Sequence, residues 1–149
     1  MLLTNHVLSG ALTGALVRRP LSAFTLGVAS HFVLDAVPHW GKWGGRRRFL
    51  RVAVSDGLVS LAVMGAFTAL SPPDHRMAVL AGMAGAALPD VDKPTRLLFG
   101  WSPWPRAVDW FHGAIQDEAS DRFPVEFLAA CVLAAAALTA LARPPHGCA

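Results

Sequence analysis

Residues 30–40 (SHFVLDAVPHW) carry two histidines and an aspartate at four-residue intervals inside an otherwise apolar run. Residues four apart share one face of a helix, so His31 and Asp35 are predicted to point the same way. Pro38 ends the predicted helix and leaves His39 on the turn just beyond it. Imidazole and carboxylate groups are ligands for zinc and similar ions. The stretch therefore predicts half of a metal site, or alternatively a buried His–Asp pair that only orders a helical bundle.

The stretch lies at the end of the second of five predicted helices, and the other helices must position its partners. The bounds of the five helices are 4–17, 21–37, 51–70, 75–88 and 125–142, and one or two short helices near the membrane surface are expected within 95–120. The chain is 54% hydrophobic and 15% charged, whereas a soluble domain usually carries about 25% charged residues. We therefore predict an all-α fold: a single domain over 1–149, forming an integral membrane bundle of about five spanning helices plus short interfacial helices.

The basic residues favour one orientation in the inner or plasma membrane. With a cytoplasmic N-terminus and five crossings, nine positive charges lie inside: Lys42, Arg46, Arg47, Arg48, Arg51, Lys93, Arg96, Arg106 and Arg122. Four lie outside: Arg18, Arg19, Arg76 and Arg143. This bias agrees with the positive-inside rule, and all five tryptophans fall on the same inner side, where an aromatic belt is expected. The net charge of +3 is thus explained by topology and membrane lipids as partners, without nucleic acid.

The same topology gathers the unusual polar residues at the cytoplasmic end of the bundle. The set comprises His6, His31, Asp35, His39, Asp56, Asp90, Asp92 and His112. A charged side chain within a bilayer costs about 2.5–3.5 kcal/mol on insertion scales, so the buried aspartates require partners. A divalent ion would supply them; we expect zinc, with manganese or iron as alternatives. A His–Asp hydrogen-bond network without metal is the competing interpretation.

Three motifs give the chain a family resemblance. Thr4-Asn5-His6 before a Gly/Ala-rich helix, then SHFVLDAVPHW, then AGAALPDVDK resemble the bacterial membrane-bound metal-dependent hydrolase family. They are more distantly similar to zinc-dependent phospholipase C, an all-helical fold with a multi-metal site. The resemblance covers roughly residues 4–115. It implies a set of metal ligands, namely His6, His31, Asp35, Asp56, Asp90 and Asp92. It further implies that His39 and His112 are additional ligands or proton carriers.

These observations lead to one functional hypothesis and one alternative. The hypothesis is metal-assisted hydrolysis of a phosphoester, such as a phospholipid head group, with His39 or His112 as catalytic acid or base. The alternative is a non-catalytic integral membrane protein in which the His/Asp cluster is structural. The chain lacks GxSxG, HExxH and Walker motifs, which disfavours the corresponding enzyme classes.

Overall fold

Helices form most of the chain in the computed structural model, which describes residues 1–41 and 44–143. Their bounds are α1 Leu3–Val17, α2 Pro20–Asp35, α3 Arg46–Leu70, α4 Arg76–Ala87, α5 Asp92–Phe99, α6 Arg106–Ile115 and α7 Phe123–Ala142. A 3-10 turn, Leu88–Val91, joins α4 to α5. The predicted all-α class is confirmed. Lys42 and Trp43, which the sequence assigns to the inner basic loop and its aromatic belt, lie outside the described residues.

Within residues 1–41 and 44–143, two helices, not about five, are long and apolar enough to cross a membrane. They are α3, with 25 residues, and α7, with 20. The prediction of five spans is wrong because α1 has 15 residues, α2 has 16 and α4 has 12. At 1.5 Å per residue such helices fall short of a hydrocarbon core of about 30 Å. The apolar residues of α1 and α4 instead form much of the buried core, whereas Leu21, Leu26 and Val33 of α2 are exposed.

The helix α4 packs against both α1 and α2 at very short range. Glycines permit this approach: Gly10 of α1 and Gly27 of α2 both face the backbone of Gly82 on α4, with no room for a Cβ atom on any of the three. Close backbone contact through small residues is characteristic of tightly packed membrane helices. The packing fixes the C-terminal ends of α2 and α4 beside the start of α1.

Two carboxylates from other helices hold the N-terminus of α1. Asp56 of α3 accepts hydrogen bonds from the backbone N–H groups of Leu3 and Thr4, at 2.7 and 3.1 Å. Glu126 of α7 accepts from the backbone N–H of Leu2 at 3.1 Å and from the side-chain amide of Asn5 at 2.6 Å. The first N–H groups of a helix have no partner within the helix. The acidic side chains of Asp56 and Glu126, from two other helices of the chain, therefore cap the N-terminus of α1.

A short pair of parallel strands is also held by Glu126. Strand β1, His39–Trp40, pairs with β2, Glu118–Ala119, in the register His39 to Glu118. The other carboxylate oxygen of Glu126 accepts the backbone N–H of Trp40 at 3.1 Å. Glu126 therefore connects α7, α1 and β1, although it lies only 1% exposed near the start of a long apolar helix.

We expect Glu126→Gln to lower the free energy of unfolding by about 2 kcal/mol, because an amide NH₂ would face donors that now have an acceptor. The measurement is chemical or thermal unfolding in detergent. The matched control is Asp117→Asn, an exposed carboxylate paired with Arg122 at 2.7 Å, where we expect less than about 1 kcal/mol. Equal effects of the two substitutions would contradict this account of Glu126.

Candidate metal centre

Four buried side chains from two helices and one turn converge at one end of the bundle. His31 and Asp35 stand on the last two turns of α2, Asp90 on the 3-10 turn after α4, and His112 on α6. Each offers a ligand atom, and these atoms all lie within 4.8 Å of one another. The predicted i, i+4 pairing of His31 with Asp35 is present, with Nε2 of His31 3.1 Å from Oδ2 of Asp35.

Three of the ligand atoms form a compact triangle. Nε2 of His112 lies 2.9 Å from Oδ2 of Asp35, and the two histidine Nε2 atoms are 3.1 Å apart. Oδ1 of Asp90 lies 3.6 Å from each Nε2 atom. Ligand atoms about 2.0–2.2 Å from a tetrahedral zinc ion stand roughly 3.3–3.6 Å from one another. The cluster therefore has the size of a set of ligands around a single ion.

Hydrogen bonding on the far side of His31 fixes the state of its ring. Nδ1 of His31 lies 2.8 Å from the backbone carbonyl oxygen of Ala86. A carbonyl can only accept, so Nδ1 of His31 carries a proton, and Nε2 is the ring nitrogen that faces the cluster. A metal-binding histidine usually donates the N–H of its other ring nitrogen to a carbonyl or a carboxylate in this way. The residues present thus fit a divalent ion.

One cationic group lies beside each carboxylate of the cluster. The α-amino group of Met1 lies 2.7 Å from Oδ1 of Asp35, and Nζ of Lys93 lies 2.8 Å from Oδ1 of Asp90. Burial alone would raise the pKa of Asp35, but His112, His31 and His6 hold that pKa well below its ordinary range. Lys93 likewise outweighs the effect of burial and lowers the pKa of Asp90. Both aspartates are therefore ionised, which is the form that binds a metal.

His6 forms a second layer behind the cluster. Its ring stacks on the ring of His31 with centroids 3.9 Å apart, and its Nε2 lies 3.1 Å from Oδ1 of Asp35. Burial lowers the pKa of His6 to about 4, so the ring is neutral at pH 7. His6 therefore contacts the opposite carboxylate oxygen of Asp35 from His31 and His112, and its role as a metal ligand stays a prediction.

Three other predicted site residues have different partners. Asp56 caps α1 through its contacts with Leu3 and Thr4. Asp92 pairs with Arg96 on α5 at 3.3 Å. His39 is buried, with Nδ1 2.7 Å from the carbonyl oxygen of Val37 and Nε2 3.8 Å from Glu118. The structure does not bring Asp56, Asp92 and His39 into the four-residue group. Their roles as ligands or as an acid–base group remain predictions.

Sequence reasoning missed two polar neighbours of the cluster, Lys93 and Gln116. Lys93, counted only as a topological charge, pairs with Asp90 three residues earlier, a spacing that could have been recognised. Gln116 donates to Oδ2 of Asp35 at 3.3 Å, a contact without any local signal. His112, predicted as an additional ligand or a proton carrier, places its Nε2 among the ligand atoms.

Comparison with known proteins identifies no relative of this chain. No family model matches it, and searches of curated proteins and of solved structures give no significant match.

Proposed function

We propose that the protein is a multi-pass inner-membrane, metal-dependent hydrolase that cleaves a phosphoester such as a phospholipid head group. The observation that carries the proposal is the buried group His31, Asp35, Asp90 and His112, in which the contact of Nδ1 of His31 with the carbonyl of Ala86 leaves Nε2 facing the other ligand atoms. Two candidate membrane spans support a location in the bilayer, with further membrane contact through the shorter helices.

The residues of the chain have distinct tasks in this proposal. His31 and His112 would hold the ion through neutral nitrogens, while Asp35 and Asp90 would supply the negative charge. A bound divalent ion supplies Lewis acidity towards a phosphoryl oxygen and lowers the pKa of a coordinated water. Lys93, next to Asp90, would bind the anionic phosphate, and His39 is the remaining candidate for an acid or base.

The test is hydrolysis of a phosphodiester panel by the purified protein in detergent. We expect cleavage to stop on chelation and to return with zinc, manganese or iron. His31→Ala should lose at least about 100-fold in rate, because even the outer partners of metal ligands contribute about 10–100-fold. His75→Ala, a buried histidine at the opposite end of α4, should keep its rate. Chelator-insensitive cleavage, or equal rates in the two variants, would contradict the proposal.

A second candidate function, a structural polar cluster, is favoured by one observation. Met1 and Lys93 already place a cation beside each aspartate, at 2.7 and 2.8 Å, so the two buried charges are balanced by the protein itself. A cluster of this kind would stabilise the bundle without catalysis. It predicts unchanged unfolding after chelation and no cleavage of any ester in the panel.

A further inference from the structure

A cavity of about 510 Å³ opens beside the candidate metal centre. One wall is the first half of α3, including Phe49, Ala53 and Val54, and the other is α5, including Leu97. Cavities of roughly 300–1,000 Å³ with mostly apolar walls are typical of small-molecule sites. The α3 wall belongs to a candidate membrane span, so the cavity adjoins the surface that lipid would cover.

The polar end of the cavity joins it to the metal centre. Asp90 and Lys93 both line it, and Asp90 is one of the four grouped ligands. The other two acidic lining residues are engaged elsewhere, Asp56 by the N-terminus of α1 and Glu118 by His39. The lysine ammonium has three N–H donors, of which the carboxylate of Asp90 needs one. Lys93 is therefore placed to bind an anionic group at this end.

We propose that this cavity binds one acyl chain of a membrane lipid whose phosphate head group is held by Lys93. An apolar chain would lie between α3 and α5, and the head group would meet the protein where Asp90 leads into the metal centre. The inference rests on the proposed function only for the hydrolysis of the bound lipid. The cavity, its apolar walls and Lys93 argue for lipid binding whether or not an ion is bound.

The test is photolabelling in lipid nanodiscs that contain chelator and a trace of phosphatidic acid with a diazirine in its acyl chain. Labelled residues are mapped by mass spectrometry. Labelling of α7, whose exposed Phe127, Leu128 and Val132 would contact bulk lipid, serves as the internal reference. We expect preferential labelling of residues 49–57 on α3 and 94–97 on α5.

Two variants fill the cavity from opposite walls, and a third is their control. Ala53→Trp and Leu97→Trp should each lower the α3 label, relative to α7, by about tenfold, because a packed indole leaves no room for the chain. Ala62→Trp, on the exposed surface of α3 and outside the cavity lining, should leave the ratio unchanged. Because the two variants fill the cavity from different helices, the same loss of label in both indicates blocked lipid binding, not a folding defect of one variant. Circular dichroism checks the fold of each variant.

The head group is tested with Lys93→Met. It should reduce labelling of α3 by the phosphatidic acid probe about tenfold, since hydrogen bonds to charged groups are strong, but leave labelling by a diacylglycerol probe with the same tail unaffected.

Equal α3-to-α7 ratios in the parent, Ala53→Trp and Leu97→Trp would overturn the inference and indicate contact with bulk lipid only. The labelling is done in chelator and so does not depend on a bound metal. Selective labelling, combined with no hydrolysis by the metal-loaded protein in the separate phosphodiester assay, would refute the proposed function alone. Activity with unselective labelling would refute this inference alone.

Discussion

Replacement of Asp35 by asparagine is expected to abolish stoichiometric metal binding. Oδ2 of Asp35 lies within 3.1 Å of both histidine Nε2 atoms, and Oδ1 contacts the amino group of Met1. The substitution removes a ligand and its negative charge while leaving the surrounding cation buried. We expect the metal content to fall from about one equivalent to below about 0.1, given the coupling of ligand charge to affinity. Inductively coupled plasma mass spectrometry measures it directly.

The same substitution should also destabilise the protein without metal. Breaking a buried ion pair by removing one partner costs about 3–5 kcal/mol, so unfolding in the presence of chelator is the second readout. The matched control is Asp92→Asn, an aspartate that the sequence also predicts as a ligand but that pairs with Arg96. It should keep the metal. If both aspartates were needed for metal, the four-residue ligand set would be wrong.

Gly82→Ala is expected to cost at least about 3 kcal/mol of unfolding free energy, or to prevent folding, because a Cβ atom at this position has no room. It would meet the backbone of Gly10 on α1, and Gly27 of α2 also lies against the backbone of Gly82. Moving α4 away would also displace Asp90, which comes after this helix. Unfolding in detergent gives the stability, and metal content gives the effect on the site.

The control is the same substitution at Gly65 on α3. A Cβ atom there meets no other atom within 4 Å, and alanine favours a helix over glycine by roughly 1 kcal/mol. Gly65→Ala should therefore stabilise the protein slightly. The two substitutions are chemically identical, so destabilisation of similar size at both positions would refute the packing account.

Local patterns were sufficient to predict the helices and part of the site. The four-residue spacing of His31 and Asp35 requires only that residues 20–35 be helical, and Pro38 ends that helix by simple sterics. The position of Asp90 is likewise set by the end of α4, next to Pro89. The number of membrane spans was wrong because apolar composition does not distinguish a buried bundle helix from a lipid-facing one. Only the packed structure shows that α1 and α4 face each other.

Long-range partners decide the remaining features. Asp56 and Glu126 each lie in the first half of an apolar helix, and nothing in their neighbourhoods reveals that they cap α1 from positions 52 to 124 residues away in sequence. An ionisable residue in an apolar helix indicates either a functional role or a specific polar partner. For Glu126 this rule would have pointed to the residue, but not to Leu2, Asn5 and Trp40 as its partners.

Metal analysis of the parent protein, purified without chelator and again after dialysis against zinc, tests the central claim most directly. We predict about one tightly bound divalent ion per chain, with X-ray absorption showing two imidazole nitrogens and carboxylate oxygens at about 2.0–2.2 Å. A protein that stays free of metal under both conditions would contradict the metal centre. The His31, Asp35, Asp90 and His112 group would then be a structural network neutralised by Met1 and Lys93.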